Sequence, residues 1–294
     1  MPVFTVKEPT HLIDFLKASL PDWGAGTLKS RLKSGLVQVG GMAIRSGATR
    51  LVPGDLVEVL PRPPEAGGFF PTHLGPPPLP LLHADPDLLA VDKPPGLLSV
   101  ASAREKVLTA IRLMREWLGE LAPEEAENLH AAHRLDRDAS GVLLLARSLE
   151  VKRELASAWH TYSKIYLALV DGRPRQEEGE INLPLWEDKG LFVRVARPEE
   201  GWAATTRYRL LASRGGRSLL EVELVTGRKH QIRVHLAQLG CPIVGDRRYG
   251  FSRGTRLALH AKSLRLTHPR SGRETYIESP PPPFFSRHWQ PRRP

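Results

Sequence analysis

The 294-residue chain has one cysteine, Cys241, so a disulfide framework and a cysteine-built zinc cage are both excluded. That usage fits a reducing compartment. No apolar run approaches the roughly 20 residues needed to cross a bilayer. The first residues, Met1 to Glu8, show no basic segment followed by an apolar one, so no secretory leader is read there and a cytoplasmic protein is expected. Acidic residues are in deficit: 32 Asp+Glu against 42 Lys+Arg leave a net charge of +10. Such an excess favours a polyanionic partner, with nucleic acid first. Hydrophobic content of 41% and charged content of 25% are ordinary for a globular chain, and the length allows one large domain plus a small one. There is no internal repeat.

Taken in order, residues 1–60 read as a small α/β module. Leu12, Ile13, Leu16 and Leu20 recur at helical spacing, a second helix spans Thr27 to Lys33, and a hairpin from Leu36 to Ile44 turns on Gly40-Gly41. Val52-Pro53-Gly54-Asp55 is a turn before a strand over Leu56 to Leu60. Residues 61–80 are rich in Pro and Gly and read as a semi-rigid linker at a domain boundary. A larger domain over 81–280 follows, then a basic tail, 281–294. Within it, strands are expected at Leu88 to Asp92, Lys164 to Gly172, within 181–197 and within 205–224 about a Gly215-Gly216 hairpin, with a strand and turn over Pro242 to Asp246. Helices are expected at 103–121 (with Leu108, Ile111, Met114 and Leu118 on one face), at Leu149 to about Tyr162, and at Gln231 to Leu239, closed by Gly240. Strands outnumber helices without βαβ regularity. The expected class is therefore α+β, a largely antiparallel mixed sheet flanked by helices around a central cleft.

One stretch organises the rest. His133-Arg134-Leu135-Asp136-Arg137-Asp138 crowds five charged or titratable groups into six positions, then Ala139-Ser140-Gly141 leads into the apolar run Val142 to Ala146. Charges at the edge of a core strand are costly unless paired, which suits an active site or a structural salt-bridge cluster. An extended backbone would point Asp138 to the same side as Asp136, so the pleat does not choose between the two carboxylates. His130, His133 and Asp136 are spaced like helical metal ligands, but the stretch runs into a strand and the His-Glu-x-x-His pattern is absent; no metal is expected. Pro94-Pro95 after Lys93 would spoil a phosphate loop. Cys241 reads as a buried small apolar residue.

Four stretches in fixed order carry a family resemblance: Asp92-Lys93-Pro94-x-Gly96-Leu97, His133-Arg134-Leu135-Asp136, Lys164-x-Tyr166, and Thr226-Gly227-Arg228-x-His230-Gln231-Ile232-Arg233-x-His235. With Gly240-x-Pro242-Ile243-x-Gly245-Asp246-x-x-Tyr249-Gly250 and His260-Ala261, they resemble the RluA-type branch of the pseudouridine synthases across nearly all of 81–280. The departure is Ala139, where that family usually has Thr. The first 60 residues resemble the small RNA-binding module of ribosomal protein S-four, through Leu28-x-x-Arg31-Leu32-x-x-Gly35-x-Val37-x-Val39-x-Gly41 and Pro53-Gly54-Asp55-x-Val57. Leu12-Ile13-Asp14 stands where that module has Arg-Leu-Asp.

The resemblance implies an enzyme that detaches uracil from its ribose, rotates it and rejoins it through carbon, with no redox cofactor and no metal. It implies Asp136 as the catalytic carboxylate and Arg233 as the cation that keeps it ionised. Arg134 would fill the gap left by an everted base, Tyr166 would stack on the flipped uracil, and Arg228 would lie in the site or on phosphate. The implied partner is RNA, with large-subunit rRNA favoured over tRNA, bound by a monomer without a membrane. A non-catalytic RNA-binding or ribosome-assembly factor of the same fold is the competing reading.

Overall fold

The computed structural model describes residues 3–21, 23–33, 37–39, 42–44, 46–59, 76–101, 108–120, 122–197, 199–251 and 256–286. Contacts divide the chain into two compact units: residues 1–65 with 282–284, and residues 66–281 with 285–294.

In the smaller unit, β1 (Val3–Thr5) and β2 (Thr10–His11) precede α1 (Leu12–Ser19) and α2 (Ala25–Lys33). Then come β3 (Val37–Val39), β4 (Met42–Ala43), β5 (Arg50–Leu51) and β6 (Leu56–Val59). Four strands form a sheet in the order β1-β6-β3-β4, and β2 pairs with β5. Leu12 and Leu16 of α1 and Leu28 and Leu32 of α2 share one buried cluster with Val37, Leu51, Val57 and Val59. The helical spacing of those leucines is what lets both helices bury one face. β3 and β4 pair antiparallel as the hairpin expectation requires. Gly40 and Gly41 at its turn lie outside the described residues, as do 61–75 of the expected linker and 287–294 of the expected tail.

The larger unit is built on one sheet. It uses β7 (Leu81–Ala84), β8 (Leu88–Lys93), α3 (Ala110–Gly119), α4 (Pro123–Glu127), β9 (His130–Ala131), β10 (Ser140–Ala146), α5 (Leu149–Ala158) and β11 (Ser163–Asp171). It continues through β12 (Glu178–Asn182), β13 (Leu185–Glu187), β14 (Val193–Val195), β15 (Thr205–Arg214), β16 (Arg217–Leu224), α6 (Gln231–Gln238), β17 (Leu259–Thr267) and β18 (Glu274–Glu278). Ten strands pair in the order β12-β15-β16-β11-β17-β10-β8-β7, with β18 on β17 and β9 on β10, while β13 and β14 form a separate hairpin. Only β10 and β17 run parallel, so the class is α+β with a largely antiparallel mixed sheet, as expected.

Every residue of β10 is buried. Its unbroken apolar run is the pattern of a strand covered on both faces. Leu144 and Ala146 join Val151 and Leu155 of α5, while Leu143 and Leu145 alternate to the other side. At Ser140-Gly141 the backbone of β10 lies close against β17. Gly141 has φ +110°, and a Cβ there would lie 2.1 Å from the Ala261 carbonyl oxygen on β17. Gly141→Ala should therefore destabilise the protein by on the order of 3 kcal/mol or more. Thermal denaturation measures it; an unchanged melting temperature would contradict the account.

Two helix and strand expectations need correction. The helix over 103–121 is α3, Ala110–Gly119, opened by Thr109, whose side chain accepts from the Arg112 backbone N–H. A Thr N-cap sets the start where periodicity alone ran on. Leu108 consequently lies before the helix and is exposed; residues 102–107 lie outside the described residues. Of the strand and turn expected over Pro242 to Asp246, the turn forms but the strand does not: Ile243 makes one isolated bridge to Val170 before the chain turns. Those residues hold Asp246 in place rather than extend the sheet.

Candidate active site

The loop between β9 and β10 is pinned from beneath. Lys93, at the end of β8, is fully buried. Its Nζ donates to the carbonyls of Pro94, Leu97 and Arg137 at 2.9, 2.8 and 3.0 Å, using all three ammonium hydrogens. Burial pulls its pKa down to about 8, against the charges of Asp138, Asp136 and Asp92. Ser99 Oγ accepts from the Leu135 N–H and donates to the Leu135 carbonyl. His133 Nε2 accepts the Leu144 N–H at 3.0 Å, and its ring stacks on Trp159. His133 is therefore a brace for β10, with its Nε2 occupied by a backbone donor.

Arg137 and Asp138 form a turn, with the Ala139 N–H bonded to the Asp136 carbonyl. The extended-chain argument that aimed both carboxylates one way does not hold. Asp136 is partly buried, with 22% of its side chain accessible, whereas Asp138 is exposed. Ala139 is buried against the base of β10.

Arg233 reaches Asp136 from the first turn of α6. The start of that helix is set by buried Gln231, whose Oε1 accepts from Thr226 Oγ1 and the Arg228 N–H while its Nε2 donates to Thr206 Oγ1 and the Thr205 carbonyl. Arg233 Nη1 donates to Asp136 Oδ2 at 3.0 Å. Its Nε and Nη2 donate to the two oxygens of Asp246 at 2.7 and 2.9 Å. The Asp246 side chain is fully buried, and Oδ1 also accepts the N–H groups of Arg248 and Tyr249. Asp246 thus fixes the guanidinium plane and leaves one edge for Asp136, an arrangement a lysine ammonium cannot reproduce. Burial alone would work against the Arg233 charge, but the Asp246 hydrogen bonds and both carboxylate charges outweigh it and raise its pKa. Burial likewise opposes the Asp246 charge, and Arg233 reverses that, lowering the Asp246 pKa below the ordinary range.

His230 completes the cluster. It precedes α6 with φ +53°, a left-handed conformation unusual outside glycine. Its Nε2 is 3.9 Å from Asp136 Oδ1, and its Nδ1 is 2.8 Å from Tyr249 Oη. Tyr249 Oη also accepts the Val193 N–H, and the Arg233 guanidinium lies over the Tyr249 ring. Burial pulls His230 down to about 4, with Asp136 opposing and nearby cations adding. The imidazole is neutral at pH 7, and a proton on Nε2, directed at Asp136, is the tautomer that lets Tyr249 donate to Nδ1.

The other residues singled out from sequence fall differently. Tyr166 is buried in β11 at a register shift against β17, where Ile165 pairs with Ser263 and Tyr166 with Ala261. Such bulges re-aim side chains beside sites. Burial and then the Asp136 charge push its hydroxyl above the ordinary range. Arg134 is exposed. Arg228 is also exposed, and its Nε donates to the Ala203 carbonyl, so the structure does not bring it to Asp136. Asp246, His230, Tyr249 and Lys93 stand within the motifs of the family resemblance, which carry their identity but not their geometry.

A cavity of about 620 Å³ opens beside this cluster, lined by Arg137, Asp138, His230, Arg233, Asp246 and Arg248 but not by Asp136 itself. That volume lies in the range of small-ligand sites. Among the described residues, Asp85, Asp87 and His268 are close enough together to hold a metal ion. However, His268 Nδ1 accepts the N–H groups of Arg270 and Ser271, which places its proton on Nε2, 3.3 Å from Asp85. A metal would need that nitrogen's lone pair, so the group is a polar staple between two turns.

Three histidines, buried His260 and partly buried His133 and His230, give the unit an acid limit. Burial lowers His133, His230 and His260 from 6.5 to about 4 each. Between those values the unfolded chain takes up protons the folded one refuses, so stability is full above about pH 6.5 and falls as pH drops toward 4. Each shift corresponds to on the order of 3 kcal/mol. Asp92, raised by burial to about 6, acts in the opposite sense over nearly the same window. The expected net result is a loss of several kcal/mol between pH 6.5 and 4. Urea denaturation across that range reads it directly, and a flat profile would contradict it.

Residues 87–238 match the family model described as RNA pseudouridylate synthase. The chain is 35% identical over 218 residues to the ribosomal large subunit pseudouridine synthase D of Nitrosomonas europaea, covering 70% of this chain and 62% of that protein. It is 36% identical over 228 residues to the tRNA pseudouridine synthase C of Salmonella typhimurium, covering 68% and 85% respectively. Among solved structures, human RNA pseudouridylate synthase domain containing 4 superposes with a TM-score of 0.59 at 28% identity, over 70% of this chain and 90% of that one.

Proposed function

Because the chain belongs to the RNA pseudouridylate synthase family and is an isomerase acting on RNA, we propose that Asp136 is its catalytic carboxylate and that its substrate is a uridine in large-subunit rRNA. The observation that carries this reading is the Asp136–Arg233–Asp246 chain, whose Arg233 and Asp246 line a cavity of small-ligand size. The Arg233 guanidinium supplies a counter-charge 3.0 Å from the partly buried Asp136 carboxylate. Tyr166, buried in β11, offers a ring for the flipped uracil. Exposed Arg134, two residues away, suits insertion into the gap the base leaves, or a phosphate. Arg228 serves as an outer phosphate contact.

Residues 1–60 act as an S-four-like RNA-binding module joined by a linker over 61–80 to the catalytic domain, 81–280, with the tail beyond. The net charge of +10 supports RNA as the partner. Among the described residues no helix is long and apolar enough to cross a membrane. The single cysteine supports a cytoplasmic setting, and a monomer is the default assembly. rRNA stands ahead of tRNA because the N-terminal module suits a large structured RNA. Mapping pseudouridine in total RNA from cells with and without the gene tests this: a missing site in large-subunit rRNA is expected, and a missing site in tRNA alone would move the substrate there.

A further inference from the structure

The β13–β14 hairpin carries a surface that the isomerisation does not use. Its inner side is anchored, since Leu185 and Val193 are buried with Ala204 and with Val234 of α6. On its outer side Trp186 stands directly opposite Arg194. Trp186 is 41% exposed, and Leu191 and Phe192 at the tip are exposed as well. Single exposed apolar residues mean little, but a cluster on one short hairpin marks an interaction surface.

The tip is rigidly built. Asp188 accepts the Phe192 N–H on Oδ1 and the Arg194 Nε–H on Oδ2, each at 2.9 Å. Leu191 is held at φ +62°, and its carbonyl accepts from Arg248. Phe192 has the Arg248 guanidinium 4.1 Å from its ring centre and that of Arg194 at 5.8 Å. Among the described residues, Arg248 is paired with a carbonyl and a ring rather than a carboxylate, so its charge is available to an anion. Phe192 meets Tyr249 edge-on, and Tyr249 bonds His230, which links the hairpin tip to the site.

We infer that this hairpin is a stacking platform for an unpaired nucleobase flanking the target uridine: Trp186 offers its face to the base, and Arg248, held by Phe192, meets the adjoining phosphate. The inference rests on the substrate being RNA, as proposed above. The mixture of exposed indole and flattened guanidinium groups is what selects this occupant. Bases stack on aromatic and arginine planes while phosphates take the charge, whereas an apolar protein partner has no use for such a cation.

The test is binding of the full chain to labelled single-stranded oligouridylate and to an RNA duplex without unpaired bases, both read by fluorescence anisotropy. Trp186→Ala should weaken single-strand binding roughly tenfold and leave duplex binding unchanged, while Trp186→Phe should retain most of the affinity. Arg248→Ala should weaken both and reduce the dependence of log affinity on log salt by about one contact. Unchanged single-strand affinity in Trp186→Ala, or equal losses on both RNAs, would overturn the inference. So would self-association of the wild type that disappears in Trp186→Ala without any change in RNA binding, since the surface would then belong to a second copy. Binding is read without turnover, so a chain that made no pseudouridine would leave this result to stand or fall alone.

Discussion

Asp136→Asn should lower pseudouridine formation by at least about 10³-fold, the scale on which losing one reacting group falls in other enzymes of covalent chemistry. RNA affinity should stay near the wild-type level. The substitution keeps the shape of the side chain and the acceptor for Arg233 Nη1 but removes the charge. Arg233 would remain balanced, because its Nε and Nη2 still grip buried Asp246. Folding should therefore survive, and the loss would belong to chemistry. Asp138→Asn is the matched control: Asp138 lies in the adjoining turn, exposed and outside the Arg233 pair, so its loss should be small. A transcript converted equally well by wild type and Asp136→Asn would remove the carboxylate from the mechanism. Loss in Asp138→Asn with retention in Asp136→Asn would transfer the role to its neighbour. An Asp136→Asn protein that rescued a deletion phenotype would favour the RNA-binding or assembly reading.

Arg233→Ala should cost about 3–5 kcal/mol of stability and activity with it. The two effects have different origins. Stability falls because the fully buried Asp246 side chain would be left without a counter-charge. Activity falls because the same substitution strips Asp136 of its nearest cation. Arg233→Lys keeps a charge but supplies a point ammonium where a planar fork bridges two carboxylates, so it should recover part of the stability and little of the activity. The double variant Arg233→Ala with Asp246→Ala removes both members of the buried pair. Its stability loss should be smaller than the sum of the single losses, which a urea-denaturation cycle reads. Strictly additive losses would mean that the bidentate contact carries no coupling.

The chain itself determined the buried strand β10, because an unbroken apolar run behind Ser140-Gly141 has few alternatives to a strand covered on both faces. It also determined the class of fold and the ordered motifs from Asp92 to Tyr249, since hydrophobic period and turn residues act over a few positions. The limits followed from the same locality. The start of α3 depended on one capping hydroxyl at Thr109, and the orientation of Asp138 depended on a turn that an extended-chain argument could not anticipate. Only the tertiary structure decided that Asp246 would aim Arg233 at Asp136, since 97 positions separate the last two in sequence. The same holds for Lys93 under the loop, Tyr249 behind His230, and Trp186 opposite Arg194. Hydrogen bonds and ion pairs take their strength from separation and burial, and a one-dimensional order of residues carries neither.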